Sequence, residues 1–283
     1  MYSIPIKILQ SLPSACPLCG LGARGGDLCA GCAQDLAWPL TAQARCQVCF
    51  ETLPATAAPS ETSETSAASE TVETSETSKM SENFNTVKDV PVPAVRCSRC
   101  VRQSPAYTSL VAAIEYAYPG DMLIQRFKEG ARLAYAGMFA RLLWGRLQAG
   151  ASGGQGNGLL SALVPIPSSQ SALKRRGFNP AGELARELAR LSGYPLRQEW
   201  LSRTRDTNTQ KTLNAQARRA SVSGLYVCPR AVPRVWIGLV DDVVTTGSTM
   251  HTAAMALLSA GAAGVIGIAA AHTPRAWQNG AYD

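Results

Sequence analysis

Four Cys-x-x-Cys pairs, Cys16/Cys19, Cys29/Cys32, Cys46/Cys49 and Cys97/Cys100, take up eight of the nine cysteines in this 283-residue chain. Two residues between thiolates let one turn of backbone aim both sulfurs at a single tetrahedral ion, and two such pairs complete a four-thiolate site. Eight ligands therefore predict two structural Zn2+ ions in an N-terminal zinc-ribbon module spanning residues 1–50 and 95–104. A disulfide framework would need an oxidising compartment, and residues 1–15 hold one Lys and no sustained apolar run of the kind a signal peptide carries. A thioredoxin-like redox role would want a βαβ context around one pair, which the flanking sequence lacks. Grouping the pairs in chain order is simplest; the spacing fits an interleaved, cross-braced grouping as well. Cys228 stands alone in an apolar stretch and reads as a packing residue.

Residues 51–94 separate the third pair from the fourth and hold eight acids against two bases. Their centre, SETSETSAASETVETSETS, repeats the triplet SET four times with almost no large apolar side chain. Ordering such a tract costs backbone entropy with no burial to offset it, so residues 51–94 are expected to be a disordered acidic insertion. A phosphorylatable tail mimicking nucleic acid is the sharper alternative; a solvated loop is the reading we favour. The insertion also masks the charge of the remainder: the chain is +7 overall, but outside the insertion 25 bases face 12 acids, a net +13. That imbalance directs attention to anionic partners. The longest uncharged apolar run, residues 253–271, is mostly Ala and Gly and reads as helix, turn and strand rather than a membrane span. The expectation is a cytoplasmic protein.

Beyond Cys100 the pattern alternates. Residues 108–116 read as a strand, 119–148 as helix, 150–158 as a Gly-rich link and 162–165 as a short buried strand. An amphipathic helix opened by Pro180 covers 180–192, strands are expected at 224–228 and 235–240, a helix at 248–259 and a last buried strand at 264–271. Strands separated by helices predict an α/β domain, residues 105–278, built on a largely parallel sheet.

The chemistry concentrates in VWIGLVDDVVTTGST, residues 235–249. A hydrophobic strand is expected to end in Asp241 and Asp242, followed through Val243 and Val244 by a loop of Thr245, Thr246, Gly247, Ser248 and Thr249, then a helix. Ligands in open α/β sheets bind at the carboxyl ends of strands. A Gly-containing loop entering a helix offers free N–H groups and a positive dipole end, which suit a phosphate. Two acids just upstream would repel that phosphate, so they need a vicinal diol or a Mg2+ ion. Phosphate, diol and metal together describe a ribose 5-phosphate carrying a pyrophosphate.

That run resembles the phosphoribosyl pyrophosphate motif of type I phosphoribosyltransferases, and the layout as a whole resembles the ComF/GntX family of competence-associated proteins. The likeness covers the chain apart from the acidic insertion. It includes the Cys pairs, RFKEG (126–130), VPIP (164–167), LKRRGFN (173–179), TRDTNTQKTL (204–213) and VDDVVTTGST (240–249). The resemblance implies a parallel-sheet type I phosphoribosyltransferase fold in which Asp241 and Asp242 contact the ribose hydroxyls and, through them or water, Mg2+. It implies that residues 245–249 wrap the 5-phosphate. Lys174, Arg175 and Arg176 would then face the pyrophosphate or an anionic acceptor, and residues 204–213 would form a closing loop. Cleaving C1–O builds charge on the departing pyrophosphate, which preorganised cations and Mg2+ stabilise while closure excludes water.

Three departures limit the likeness. Transferases acting on 6-oxopurines place an Asp where Thr245 stands, which argues against that substrate; Pro180 follows Asn179 where the family usually has Gln, a change at the helix start; and many members have an Asn near Ser221, after the pair Arg218 and Arg219, to which no role is carried over. Lys128 reads as a surface helix residue, His251 and His272 as structural, and no general base is assigned. Two functions remain. One is a phosphoribosyltransferase using Mg2+ and phosphoribosyl pyrophosphate on an unknown acceptor, in DNA uptake or nucleotide metabolism. The other is a non-catalytic sugar-phosphate sensor or nucleic-acid-binding module whose partners are single-stranded DNA or DNA-uptake machinery.

Overall fold

Buried apolar runs and the two sulfur clusters organise the chain separately, and the computed structural model shows how they meet. It describes residues 11–41, 43–53, 95–129, 134–152, 160–204 and 224–275. In chain order these form β1 (Pro13–Ala15), β2 (Gly22–Arg24), α1 (Ala30–Thr41), α2 (Ser98–Arg102), β3 (Ser109–Glu115), α3 (Gly120–Glu129) and α4 (Ala134–Ser152). There follow β4 (Leu160–Pro165), α5 (Gln170–Arg176), α6 (Pro180–Ser192), β5 (Ser202–Arg203), β6 (Tyr226–Val227), β7 (Trp236–Val244), α7 (Ser248–Ser259) and β8 (Gly264–His272).

The main sheet has the order β3-β8-β7-β4, and every pairing in it is parallel. Strands buried on both faces read as near-continuous apolar runs, and every residue of β8 is buried. One face packs on α3, α4 and α6 through Leu123, Phe127, Phe139, Leu143, Leu184 and Leu188, each fully buried. The other face packs on α7 through Met250, Ala253, Ala254 and Leu257. The expected α/β parallel sheet is the fold that forms.

Three local outcomes differ from the sequence expectation. Residues 119–148 form two helices, α3 and α4, with 130–133 outside the described residues. β7 does not stop before the acids. It continues through Asp241 and Asp242 to Val244 because β8 keeps pairing beside it, with Asp241 opposite Ala269 and Val244 opposite His272. The basic run Lys174–Arg176 belongs to α5, a helix capped by the Ser169 hydroxyl, which accepts from the Ala172 N–H at 3.1 Å, and closed by left-handed Gly177.

The two cysteine modules are built alike. In the first, Cys16 and Cys19 lie on the turn between β1 and β2, and Cys29 and Cys32 at the start of α1. In the second, Cys46 and Cys49 lie on a turn closed by the Arg45–Thr52 bridge, and Cys97 and Cys100 at the start of α2. Both turns make the same two bonds: the first Cys N–H donates to the carbonyl of the residue five on (Leu21, 2.6 Å; Glu51, 2.8 Å), and its own carbonyl accepts from the residue four on. The residue four on has positive φ in each, Gly20 at 78° and Phe50 at 66°. A left-handed Phe is strained, and its ring is held by Arg45, 5.0 Å above it, and by an edge contact to His272 at 5.8 Å.

The modules lie on opposite faces of the sheet. Leu18 and Leu28 of the first pack on the α4 side, where Asp27 is paired with Arg141 of α4. Cys46, Val48, Leu53, Cys97 and Cys100 of the second are buried in the α7-side core. Glu51, Thr52 and Leu53, which composition places in the acidic insertion, are part of this second module: Glu51 pairs with Arg275 at 3.2 Å and Leu53 is buried. Residues 54–94 lie outside the described residues.

Candidate functional site

Each four-cysteine group assembles in chain order: Cys16, Cys19, Cys29 and Cys32 in one, Cys46, Cys49, Cys97 and Cys100 in the other. This decides the grouping that spacing left open. Within each group all sulfurs lie within 4.8 Å of one another, and the Cys19–Cys29 and Cys49–Cys97 separations are 3.6 Å. A tetrahedral ion with metal–sulfur bonds of about 2.3 Å sets sulfurs about 3.8 Å apart, so both groups fit Zn2+.

Of the other predicted site residues, Asp241 to Thr249 lie at the carboxyl end of β7, one of the two central strands. Asp241, Asp242, Val243 and Val244 are its last residues, Thr245, Thr246 and Gly247 form the loop, and Ser248 and Thr249 open α7. Gly247 adopts φ 75°, which the sharp entry into α7 requires, and a Cβ there would lie 2.7 Å from the Tyr107 hydroxyl. The loop is laced by its own hydroxyls, Thr246 to Ser248 at 3.0 Å, and Thr252 donates to the Ser248 carbonyl at 2.8 Å. The side chains of Thr245, Thr246, Ser248 and Thr249 are exposed.

The two acids have different surroundings. Asp241 is buried, and its Oδ1 accepts from the Asp242 N–H at 2.9 Å. Burial first, and then the charge of Asp242 beside it, holds the Asp241 carboxyl well above the usual carboxylate range. Asp242 accepts from the Val243 N–H at 2.8 Å and faces Lys128 of α3, whose ammonium is 3.0 Å from Oδ2. Oxygen-only donors of this kind fit a hard cation or a diol.

Lys128 is the residue the sequence reading passed over as a surface position. Its signal was available in RFKEG: Leu123, Ile124 and Phe127 bury one stripe of α3, and Lys128 borders that stripe. Phe127 also packs on Phe178 at 6.2 Å, just past the basic turn of α5. Lys174 and Arg175 are exposed and Arg176 half-buried, and among the described residues none of the three makes an ion pair. The structure does not bring them into contact with the acids. The loop after β4 is tied by Asn179, which accepts from the Ser168 hydroxyl at 2.8 Å and donates to the Ile166 carbonyl at 3.0 Å. Of the expected closing loop, only Thr204 lies among the described residues; Arg218 and Arg219 lie outside them as well.

A cavity of about 740 Å³ separates the start of α7 from the second cysteine module. His251 lines it from α7, and its Nδ1 accepts from the Ala106 N–H at 2.9 Å. Among the described residues no helix is long and apolar enough to cross a membrane.

No family model matches the chain. Among characterised proteins it is 33% identical over 173 residues to the DNA utilization protein YhgH of Salmonella typhi, covering 61% of this chain and 76% of that one. It is 32% identical over 161 residues to competence protein F of Haemophilus influenzae, covering 56% and 70%. A shorter match, 35% over 105 residues, covers 36% of this chain and 40% of competence protein ComFC of Bacillus subtilis.

Proposed function

This chain belongs to the ComF family, and on that premise we propose that it binds phosphoribosyl pyrophosphate with Mg2+ and transfers the phosphoribosyl group to an acceptor in DNA uptake or DNA utilization. One observation carries the reading. A buried carboxyl and a Lys-paired carboxylate stand at the end of a central strand, directly before a loop of exposed hydroxyls and the N-terminus of a 12-residue helix. Residues 245–249 would hold the 5-phosphate through N–H and hydroxyl donors, and Asp241 and Asp242 would accept from the ribose hydroxyls. Lys174, Arg175 and Arg176, in the last turn of α5 after the neighbouring strand β4, would supply positive charge where pyrophosphate departs. Mg2+, bound with the substrate, would neutralise part of the pyrophosphate charge. Zn2+ in the two cysteine groups would be structural, each group offering its four sulfurs and so no open position for a reacting ligand.

Calorimetric titration with phosphoribosyl pyrophosphate and Mg2+ tests the pocket. Saturable binding is expected in the micromolar range, and Asp241→Asn with Asp242→Asn should abolish it; undisturbed binding in that double variant would sink the assignment. Pyrophosphate release across a panel of bases and amines then separates a transferase from a non-catalytic sensor. Retention of single-stranded DNA by the full chain tests the nucleic-acid reading, for which the exposed Lys174 and Arg175, in no ion pair among the described residues, are the favouring feature.

A further inference from the structure

The loop of residues 245–247 is tied at both of its ends to the second cysteine module. On the strand side, the Val244 carbonyl accepts from the Thr273 N–H at 2.9 Å, and two residues on, the Arg275 N–H donates to the Glu51 carboxylate at 3.1 Å. Glu51 lies two residues past Cys49, and its carbonyl closes the turn that begins at Cys46. On the helix side, the Ala106 N–H donates at 2.9 Å to Nδ1 of His251, in the first turn of α7. The Tyr107 hydroxyl lies against Gly247, where a Cβ would be 2.7 Å from it. Ala106 and Tyr107 follow Cys100 through a short segment pinned at both ends. The Ser104 hydroxyl donates to the Cys100 carbonyl at 2.9 Å, and the Thr108 N–H to the Val265 carbonyl of β8 at 2.8 Å. The Cys46/Cys49 turn thus reaches one end of the loop and the Cys97/Cys100 turn the other. Among the described residues these two turns meet at their four sulfurs and at the bond from the Gln47 N–H to the Val95 carbonyl, 2.9 Å. A tetrahedral ion bound by all four sulfurs at about 2.3 Å fixes the separation of the turns, and with it the span of the loop. The first module lies on the other face and bonds α3 and α4 instead, through Arg126 to the Pro17 carbonyl and Arg141 to Asp27.

We propose that the second cysteine module positions this loop, with His251 as the residue that couples the two, so that binding at the loop depends on metal in the second group and not in the first. His251 is then a positioning residue, acting on the loop rather than on a substrate. It serves through an acceptor at Nδ1; an Asn side chain places its carbonyl oxygen at the corresponding position, and a Leu side chain offers no acceptor. Phosphoribosyl pyrophosphate is the loop's ligand on the function proposed above. The coupling itself is a property of the fold and stands without that ligand.

Amide hydrogen exchange over residues 245–255 of the full, zinc-loaded chain reads the coupling without any ligand, and calorimetry with phosphoribosyl pyrophosphate and Mg2+ reads its effect on binding. His251→Leu leaves both cysteine groups intact. It should speed exchange over 245–255 by about three- to tenfold while exchange in α6 and the metal content stay unchanged. His251→Asn should return exchange to within about twofold of the parent. Binding should follow the same order, weakened by about three- to tenfold in His251→Leu and restored in His251→Asn. Cys29→Ser, which removes a ligand of the first group, should leave both readouts near the parent's, whereas Cys97→Ser should lose both. The two His251 variants keep the test decisive where Cys97→Ser does not fold. A parent that binds no phosphoribosyl pyrophosphate but shows this exchange pattern would refute the ligand and retain the coupling. The proposal is overturned by His251→Leu exchanging over 245–255 like the parent, or by His251→Asn exchanging as fast as His251→Leu. It is equally overturned by Cys29→Ser perturbing the loop as much as Cys97→Ser does.

Discussion

Lys128 holds its ammonium 3.0 Å from the Asp242 carboxylate, with only 24% and 17% of the two side chains exposed. The pair joins α3 to the end of β7, so the helix that fills one face of the core also supplies the cation beside the acids. With Asp241 buried next to it, the strand end concentrates two carboxyl groups on a single lysine.

Lys128→Met should therefore destabilise the fold by about 1–3 kcal/mol, because removing one partner leaves the other's charge poorly compensated. Urea unfolding checks the size of the loss. Millimolar Mg2+ or Mn2+ should recover part of it in the variant and much less in the parent, since a bound cation stabilises by mass action. An unchanged urea midpoint would mean the pair contributes nothing to the strand end.

Gly247→Ala should cost about 1–2 kcal/mol for the left-handed backbone alone. It adds a contact of 2.7 Å to the Tyr107 hydroxyl. Combining it with Tyr107→Phe should return the contact portion and leave the backbone portion, so the double variant melts between Gly247→Ala and the parent. Equal melting of the single and double variants would show that Tyr107 yields without cost.

Spacing and periodicity exposed the features that are local. The Cys pairs, the helix from Pro180 to Ser192 with its left-handed Gly193, and the acid–hydroxyl run before α7 all stand where the sequence places them. What stayed hidden depends on distant partners. The extension of β7 past Val240 goes with its continued pairing to β8, some thirty residues further on in the chain. Lys128 near Asp242, Arg45 against Glu115 and Glu51 against Arg275 are charges that read as solvated until the chain brings them together. The left-handed Phe50 was hidden for a similar reason. Its equivalence to Gly20 appears only when the two cysteine turns are superposed by their hydrogen bonds.

The two cysteine groups differ in depth, which predicts unequal consequences. Cys19 is exposed at the first group, whereas Cys46, Cys97 and Cys100 of the second are buried in the same core as α7. Metal analysis should find two Zn2+ per chain, falling to one in either Cys29→Ser or Cys97→Ser. Unfolding should separate the variants, with Cys97→Ser losing several kcal/mol and the cooperativity of the sheet domain, and Cys29→Ser affecting it much less. Equal losses would contradict the packing of the second group into the sheet core.

His272 ends β8 inside a ring of charges: Arg45, paired with Glu115, and Arg275, paired with Glu51, with the Phe50 ring against it. Burial first, then the two guanidinium groups, lower its pKa from 6.5 to about 4, so the folded protein keeps it neutral. The unfolded chain takes up a proton near pH 6.5 and the folded chain does not until near pH 4. Stability is therefore intact above about pH 6.5 and falls as pH drops toward 4, by up to about 3 kcal/mol from this group. Urea unfolding at pH 7.5, 6.5, 5.5 and 5.0 should show the decline in the parent. His272→Gln, which cannot take up the proton, should start less stable at pH 7.5 and lose less between 6.5 and 5.0, the two curves converging. Parallel curves would mean that His272 is protonated in the folded protein as readily as in the unfolded one.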